Sequence, residues 1–150
     1  MPTSTWGPYT WNMFHTLSQK LNTNSDNFNE KFKELIKFFT LICMNLPCPS
    51  CKEHSIAYIK KYPLSKLRNK EELISYFFNF HNEVNKKLKK TLFDYNDLEK
   101  TYSNNNVFST FITFANRLIA TSNTMMSYNN KNIVNNFYVW FQENKSLFNI

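Results

Sequence analysis

The chain has 150 residues, enough to bury a core within one domain of ordinary size. Hydrophobic content of 42% and aromatic content of 17% exclude a disordered chain, and no apolar run approaches the roughly 20 residues a membrane span needs, so no membrane partner is expected. Eighteen Lys and Arg against eleven Asp and Glu give a formal charge of +7, but the Asn and Lys residues are spread through every segment and do not single out nucleic acid as a partner.

The single glycine, Gly7, excludes more. Dinucleotide folds and phosphate loops bring backbone amides to phosphate by means of several glycines. Any nucleotide cofactor here must instead be held by side chains on helices. The stretch Met1 to Trp6 has neither a basic region nor an apolar one of the secretory kind, and a cytoplasmic location is the expectation.

In chain order, Pro8 opens a first helix over residues 8 to 22, with Trp11, Phe14, His15, Leu17, Ser18 and Leu21 on one face. A second starts from a Ser25 cap; Phe28, Phe32, Leu35, Ile36, Phe39, Ile42, Cys43 and Leu46 recur at three and four residues until Pro47 stops it. Cys48-Pro49-Ser50-Cys51 opens a third, with Pro49 at the first helical position, Cys48 near the cap, and Pro63 closing it after Tyr62. The fourth runs from about Glu71 to Lys90: Asn69 and Glu72 make the cap-plus-acid pair of a capping box, and Leu73, Phe77, Phe80, His81, Val84 and Leu88 face inward.

A short helix over Asp94 to Tyr102 follows, then a break at Asn104-Asn105-Asn106. Beyond it, Phe108, Phe111, Ile112, Ala115, Leu118 and Ile119 mark one amphipathic helix, and another is predicted from Ile133 to Phe148. No run alternates strongly enough to be a strand, so the fold class is all-α. Residues 104 to 150 carry no Cys or His, and this tail is expected to pack on the core or mediate association.

Chemistry concentrates at Cys48 and Cys51. Two intervening residues let both sulfurs meet across the first turn of a helix, where the helix dipole and Lys52 lower a thiol pKa. That spacing serves redox chemistry, half a zinc site, or a buried structural pair. Zinc would draw on Cys48, Cys51, His54, His15 and His81, but neither a second CxxC nor a closely spaced His pair is present. Cys43 reads as a buried, reduced thiol. A second cluster, His81-Asn82-Glu83-Val84-Asn85, places His81, Val84, Asn85 and Leu88 on one helix face with lysines one turn on, a set able to grip a flat dinucleotide and its diphosphate.

Three motifs occur in one order: Trp6-Gly7-Pro8 with Trp11 and His15; Leu46-Pro47-Cys48-Pro49-Ser50-Cys51 with His54; and His81-Asn82-x-Val84-Asn85-x-x-Leu88-x-Lys90, running on to Phe93-Asp94. In these the chain resembles the Erv/ALR family of FAD-linked sulfhydryl oxidases, most of all its short viral members, over residues 6 to about 102. The resemblance implies a bundle of four helices plus a short fifth, with FAD at one end, as an oxidase domain over residues 1–103 and a helical C-terminal extension over 104–150. By it, Gly7 belongs to the cofactor site, and Trp11, His15, His81 and Asn82 surround its adenine and ribose end. Val84, Asn85, Lys87, Leu88 and Lys90 line the rest, with His54 and Tyr58 close by and Tyr102 at the place of a flavin-site Trp. No metal site is implied.

The implied reaction begins with a substrate thiolate attacking Cys48 and a second substrate thiol resolving the mixed disulfide. Cys51 then passes two electrons to FAD, and O2 takes them as H2O2. Where many relatives carry a shuttle CxxC and a further structural disulfide, this chain has only Cys43, Cys48 and Cys51, with Tyr95 at the place of one lost cysteine. Dithiol protein substrates must therefore reach Cys48 directly or through a small thioredoxin-like carrier. Pro8 stands where an arginine often follows the glycine. The resemblance also implies a homodimer through the first two helices and, for a viral protein, a place in the host cytoplasm or the virion. The alternative reading is a zinc-stabilised basic helical interaction domain.

Overall fold

Four helices begin where the local sequence supplies a start signal, a proline in the first turn or an Asn or Cys cap. In the computed structural model, residues 3 to 121 and 124 to 149 are described, without the side chains of residues 124 to 128. A 3-10 turn, Thr3–Thr5, leads into α1 (Gly7–Gln19), with Pro8 in its first turn as expected. Every residue from Met13 to Ser18 is buried, which is more than one face can account for. The reason is a second neighbour: α4 packs on one flank of α1 and α6 on another.

The second helix, α2 (Phe28–Cys43), is not capped by Ser25. Its cap is Asn27, held at φ 57°, a left-handed conformation that Asn tolerates better than most residues. The Ser25 hydroxyl is buried without a partner among the described residues. The expected apolar stripe is buried from Phe32 to Cys43, while Phe38, outside that stripe, stacks on Phe137 of the tail at 4.7 Å. The helix ends before Pro47, at Cys43.

In α3 (Pro49–Lys61) the expected start is present: Cys48 is the cap and its Sγ accepts from the Cys51 N–H at 3.3 Å. In α4 (Lys70–Lys87), Asn69 Oδ1 accepts from Glu72 N at 2.9 Å, and the Glu72 carboxylate accepts from Arg68 N at 2.8 Å, one residue earlier than a standard capping box. The helix stops short of Lys90. Lys89 turns left-handed at φ 57°, Lys89 N donates to Lys86 O at 3.1 Å and Lys90 N to Asn85 O at 2.8 Å, which is a Schellman closure.

A 3-10 turn, Tyr95–Asp97, and α5 (Leu98–Tyr102) follow. Asn106 then caps α6 (Val107–Ala120) by accepting from Ser109 N at 2.8 Å. The last helix, α7 (Thr124–Glu143), starts earlier than Ile133 and ends before Phe148, its final turn replaced by the 3-10 segment Lys145–Leu147. Its Asn-rich first half forms helix despite modest propensity, and buried Asn130 shows that tertiary contact supports it.

The fold is all-α. One apolar core joins α1, α2 and α4 to α6 and α7, with Phe14, Phe39, Phe77, Phe111 and Phe137 at its centre. The end of the chain is tied to the turn after α1: Asn22 N donates to Leu147 O at 2.7 Å and Asn149 N to Lys20 O at 2.7 Å, around an isolated bridge between Leu21 and Phe148. Among the described residues no helix is long and apolar enough to cross a membrane.

Candidate functional site

The dithiol sits at the amino-terminal end of α3 because Pro49 fixes the first helical φ and leaves Cys48 as the cap. Both thiols are free and partly exposed. Slight burial pushes the Cys48 thiol up, but hydrogen bonds from the side chains and backbone N–H groups of Cys51 and Ser50 outweigh it, so its net shift is downward. Ser50 Oγ lies 3.2 Å from Cys48 Sγ. Cys51 moves the other way, to about 11, through burial first and then the hydrogen bond to Cys48 and the charge there. Of the two thiols, Cys48 is therefore the more readily deprotonated and Cys51 the one that keeps its proton. Cys43 is fully enclosed, and burial pushes it up to about 12; the Ser55 hydroxyl offsets this slightly without forming a bond of full geometry.

Beyond the dithiol, α1, α4 and α5 bring together a ladder of rings. Trp11 and His81 stack at 4.2 Å and 4°. That is direct contact, with no room for a third ring between them, so a flat ligand must lie on an outer side of the pair. His15 stacks on Tyr102 at 4.7 Å, and its Nε2 lies 2.8 Å from His81 Nδ1. Burial, then the neighbouring His81, pushes His15 down to about 3; burial, then the Lys90 charge, pushes His81 down to about 4. Both rings are neutral at pH 7, and one donates to the other.

Phe80 links this ladder to α3. It meets Trp11 edge-on at 5.2 Å, stacks on Tyr58 at 4.2 Å, and lies 6.5 Å from His54. Burial and the Lys87 charge push His54 down, against an opposing pull from Glu83. Burial pushes the Tyr58 hydroxyl up to about 12, with Tyr62 and Glu83 adding to it. A cleft of about 430 Å³ opens beside Tyr58, between α3 and α4, with Asn82, Glu83 and Leu92 on its walls.

Asn82 spends its amide on the chain itself. Its Nδ2 donates to Phe93 O and its Oδ1 accepts from Phe93 N, both at 2.9 Å, and Asn85 Nδ2 donates to the same oxygen at 3.3 Å. Val84 packs partly into the core, whereas Leu88 is 55% exposed at the end of α4. Lys87 and Lys90 are exposed and reach the rings only through their charge. Gly7 is four residues before Trp11; a Cβ there would meet only Thr3 Cβ, at an ordinary 3.8 Å, so no contact within the chain demands glycine.

The structure thus joins Trp11, His15, His81 and Tyr102 in contact, attaches His54 and Tyr58 through Phe80, and leaves Gly7, Leu88 and the lysines at the rim. Sequence reasoning missed Phe80 and Phe93 as parts of the site. Phe80 was legible only as an inward-facing residue, and Phe93 only as the end of a motif. Among the described residues no three His, Cys, Asp or Glu side chains converge as a metal-binding group, which leaves the zinc alternative without a donor set.

These residues fit FAD. A dinucleotide needs ring faces, polar edges and nearby positive charge. The Trp11–His81 pair, the second nitrogens of the two histidines, and Lys87 and Lys90 supply these.

A helical protein with a vicinal dithiol on a helix that reaches an aromatic platform through Tyr58 and Phe80 is a thiol-redox protein by class. The Erv1 / Alr family profile matches residues 8–103, and the chain belongs to that family. It is 34% identical over 97 residues to the FAD-linked sulfhydryl oxidase of African swine fever virus isolate Pig/Kenya/KEN-50/1950, covering 65% of this chain and 79% of that one. The Tick/Malawi isolate's FAD-linked sulfhydryl oxidase is 33% identical with the same coverage. FAD-linked sulfhydryl oxidase ERV2 of Saccharomyces cerevisiae is 30% identical over 88 residues, 59% of this chain and 43% of the yeast protein.

Proposed function

We propose that this chain is an FAD-dependent thiol oxidase that forms disulfide bonds in protein substrates, with Cys48 and Cys51 as its redox pair. The observation that carries the reading is a vicinal pair of thiols across one helix cap, with Cys48 Sγ accepting from Cys51 N at 3.3 Å and the Cys48 thiol lowered against Cys51. From the oxidised pair, a substrate thiolate attacks Cys48 Sγ, the Cys48–Cys51 bond breaks, and Cys51 leaves and takes a proton. A second substrate thiolate then attacks the substrate sulfur of the mixed disulfide, forming the product disulfide and expelling Cys48. The lower pKa of Cys48 favours that release, because the better thiolate leaves faster. FAD, when bound, supplies the acceptor for the two electrons now on the dithiol and delivers them to O2 as H2O2.

Trp11, His15, His81 and Tyr102 would hold the adenine end, with the neutral His pair offering one donor and one acceptor edge. Lys87 and Lys90 would neutralise diphosphate, and Val84, Asn85 and Leu88 would line the wall between. Asn82 serves the site by pinning Phe93. Gly7 leaves space at the start of α1, and His54 and Tyr58 border the dithiol side.

Residues 1–103 form the oxidase unit in this reading, and 104–150 an extension packed on it. Substrates are dithiol proteins, reached directly or through a thioredoxin-like carrier, in a host cytoplasm or virion, as the viral relatives suggest. A homodimer through α1 and α2 would have only those parts of the two helices that α6 and α7 leave open.

The test is the visible spectrum of the purified protein, followed by oxygen uptake on adding dithiothreitol. Flavin bands with oxygen consumption that disappears in Cys51→Ser are expected. A colourless protein that FAD does not colour would defeat the reading.

A further inference from the structure

The turn joining α5 to α6 is fastened to α1 at two points. Lys20 Nζ donates to Ser103 O at 2.9 Å. Asn105 Nδ2 donates to Thr16 Oγ1 at 2.9 Å and to Asn12 Oδ1 at 3.1 Å, while the Thr16 hydroxyl faces Asn12 Oδ1 at 3.5 Å. Thr16 is wholly buried, so this small network is shielded on its α1 side, where hydrogen bonds hold position best. Asn12 and Thr16 flank Trp11 and His15 in sequence, on the helix that carries half of the ring ladder. On the other side, Asn105 N donates to Tyr102 O at 3.2 Å, tying the same residue to the one whose ring covers His15.

Tyr102 is also held by the packing of α5 on α1 and by the Lys20 bond to Ser103 beside it. It ends a helix of five residues, too short to be stable alone, and its other ring neighbour is Phe93 at 6.2 Å. Its register against His15 therefore depends on the turn that follows. Asn105 lies outside the stretch matched by the family profile, at the start of the tail.

We propose that Asn105 is a positioning residue for the cofactor site: by clamping the α5–α6 turn to Asn12 and Thr16, it sets the Tyr102 ring against His15 and so determines FAD affinity. The inference rests on the assignment of Tyr102 to the cofactor site. It gives the tail a role in binding as well as packing.

The experiment titrates FAD into stripped wild-type, Asn105→Ala, Asn105→Gln, Tyr102→Ala and the Ala double variant, following flavin fluorescence. Asn105→Ala should weaken FAD binding about tenfold, the size of one or two lost hydrogen bonds. Asn105→Gln, which keeps the amide, should recover part of it. The double variant should bind no worse than Tyr102→Ala, because Asn105 acts through that ring. At saturating FAD, the kcat with dithiothreitol should match wild type in Asn105→Ala, whereas general loosening of the fold would lower both. If Asn105→Ala loses its helical circular dichroism, Thr16→Val removes the 2.9 Å contact while leaving the one to Asn12, and should weaken FAD binding in the same direction by a smaller factor. Wild-type affinity in the folded variant, or additive losses in the double variant, would overturn the proposal. Failure of wild type to bind FAD would instead overturn the oxidase reading.

Discussion

Three cysteines in one small chain have three different environments, and their reactivity should differ accordingly. Cys48 is lowered by its Cys51 and Ser50 bonds, Cys51 is raised to about 11, and Cys43 is raised to about 12 by complete burial. In the reduced protein at pH 7, iodoacetamide should label Cys48 first, Cys51 slowly and Cys43 last, with peptide mass spectrometry giving the order. Labelling of Cys43 as fast as Cys48 would contradict the buried-thiol assignment. The histidines make a second prediction. His15 and His81 have folded pKa values near 3 and 4, below the 6.5 of an unfolded histidine, so between these limits the unfolded chain binds protons that the fold refuses. Stability from this source is full above about pH 6.5 and falls as pH drops. By pH 5 each ring should cost about 2 kcal/mol, read from urea melts at pH 7 and pH 5. In His81→Phe the loss should be smaller. An unchanged midpoint down to pH 5 in wild type would remove the neutral pair from the account.

At the scale of elements, the local signals were the ones sequence could carry. Pro49 with the Cys48 cap and the Asn69 cap each depend on residues within one turn and are present in the structure, and the inward stripe of α4 is buried at Leu73, Phe77 and Phe80 but ends exposed at Leu88. Asn82 was legible as part of a helical cluster, but its partner is the backbone of Phe93, reached by a turn with no periodic pattern. The end of α4 was misplaced for a similar reason. A Schellman closure usually announces itself with glycine, and here Lys89 takes the left-handed position without one. That choice has a cost which a substitution can recover. Lys89→Gly relieves the left-handed strain of a Cβ-bearing residue and should stabilise the protein by about 1 kcal/mol, seen as a higher thermal midpoint. Lys89→Ala, which keeps the Cβ and removes the same charge, should give no gain; an equal gain in both would assign the effect to charge instead.

For the whole molecule, the tail changes what the first two helices can do. Sequence placed one apolar face on each of them, and the structure buries more: Thr16 lies inside, and Phe38 stacks on Phe137, which also meets Phe111 edge-on at 4.8 Å. No local pattern could show this, because the covering residues are on the order of 100 positions away along the chain. With α6 on α1 and α7 on α2, part of the surface of both helices is covered from within. The full chain should therefore sediment and scatter light as a monomer of 18.0 kDa. The same packing makes the tail part of one cooperative core, so that Phe137→Ala, at a site with no exposure, should cost about 3–5 kcal/mol. Because the core is shared, that loss should lower a single transition in which helical circular dichroism, tryptophan fluorescence and release of bound flavin coincide. If the tail were a separate unit, Phe137→Ala would instead split the melt, with a first step that spares the flavin. A stable dimer of the full chain would mean that association uses a face the tail leaves open, and Phe137→Ala would then leave its mass unchanged.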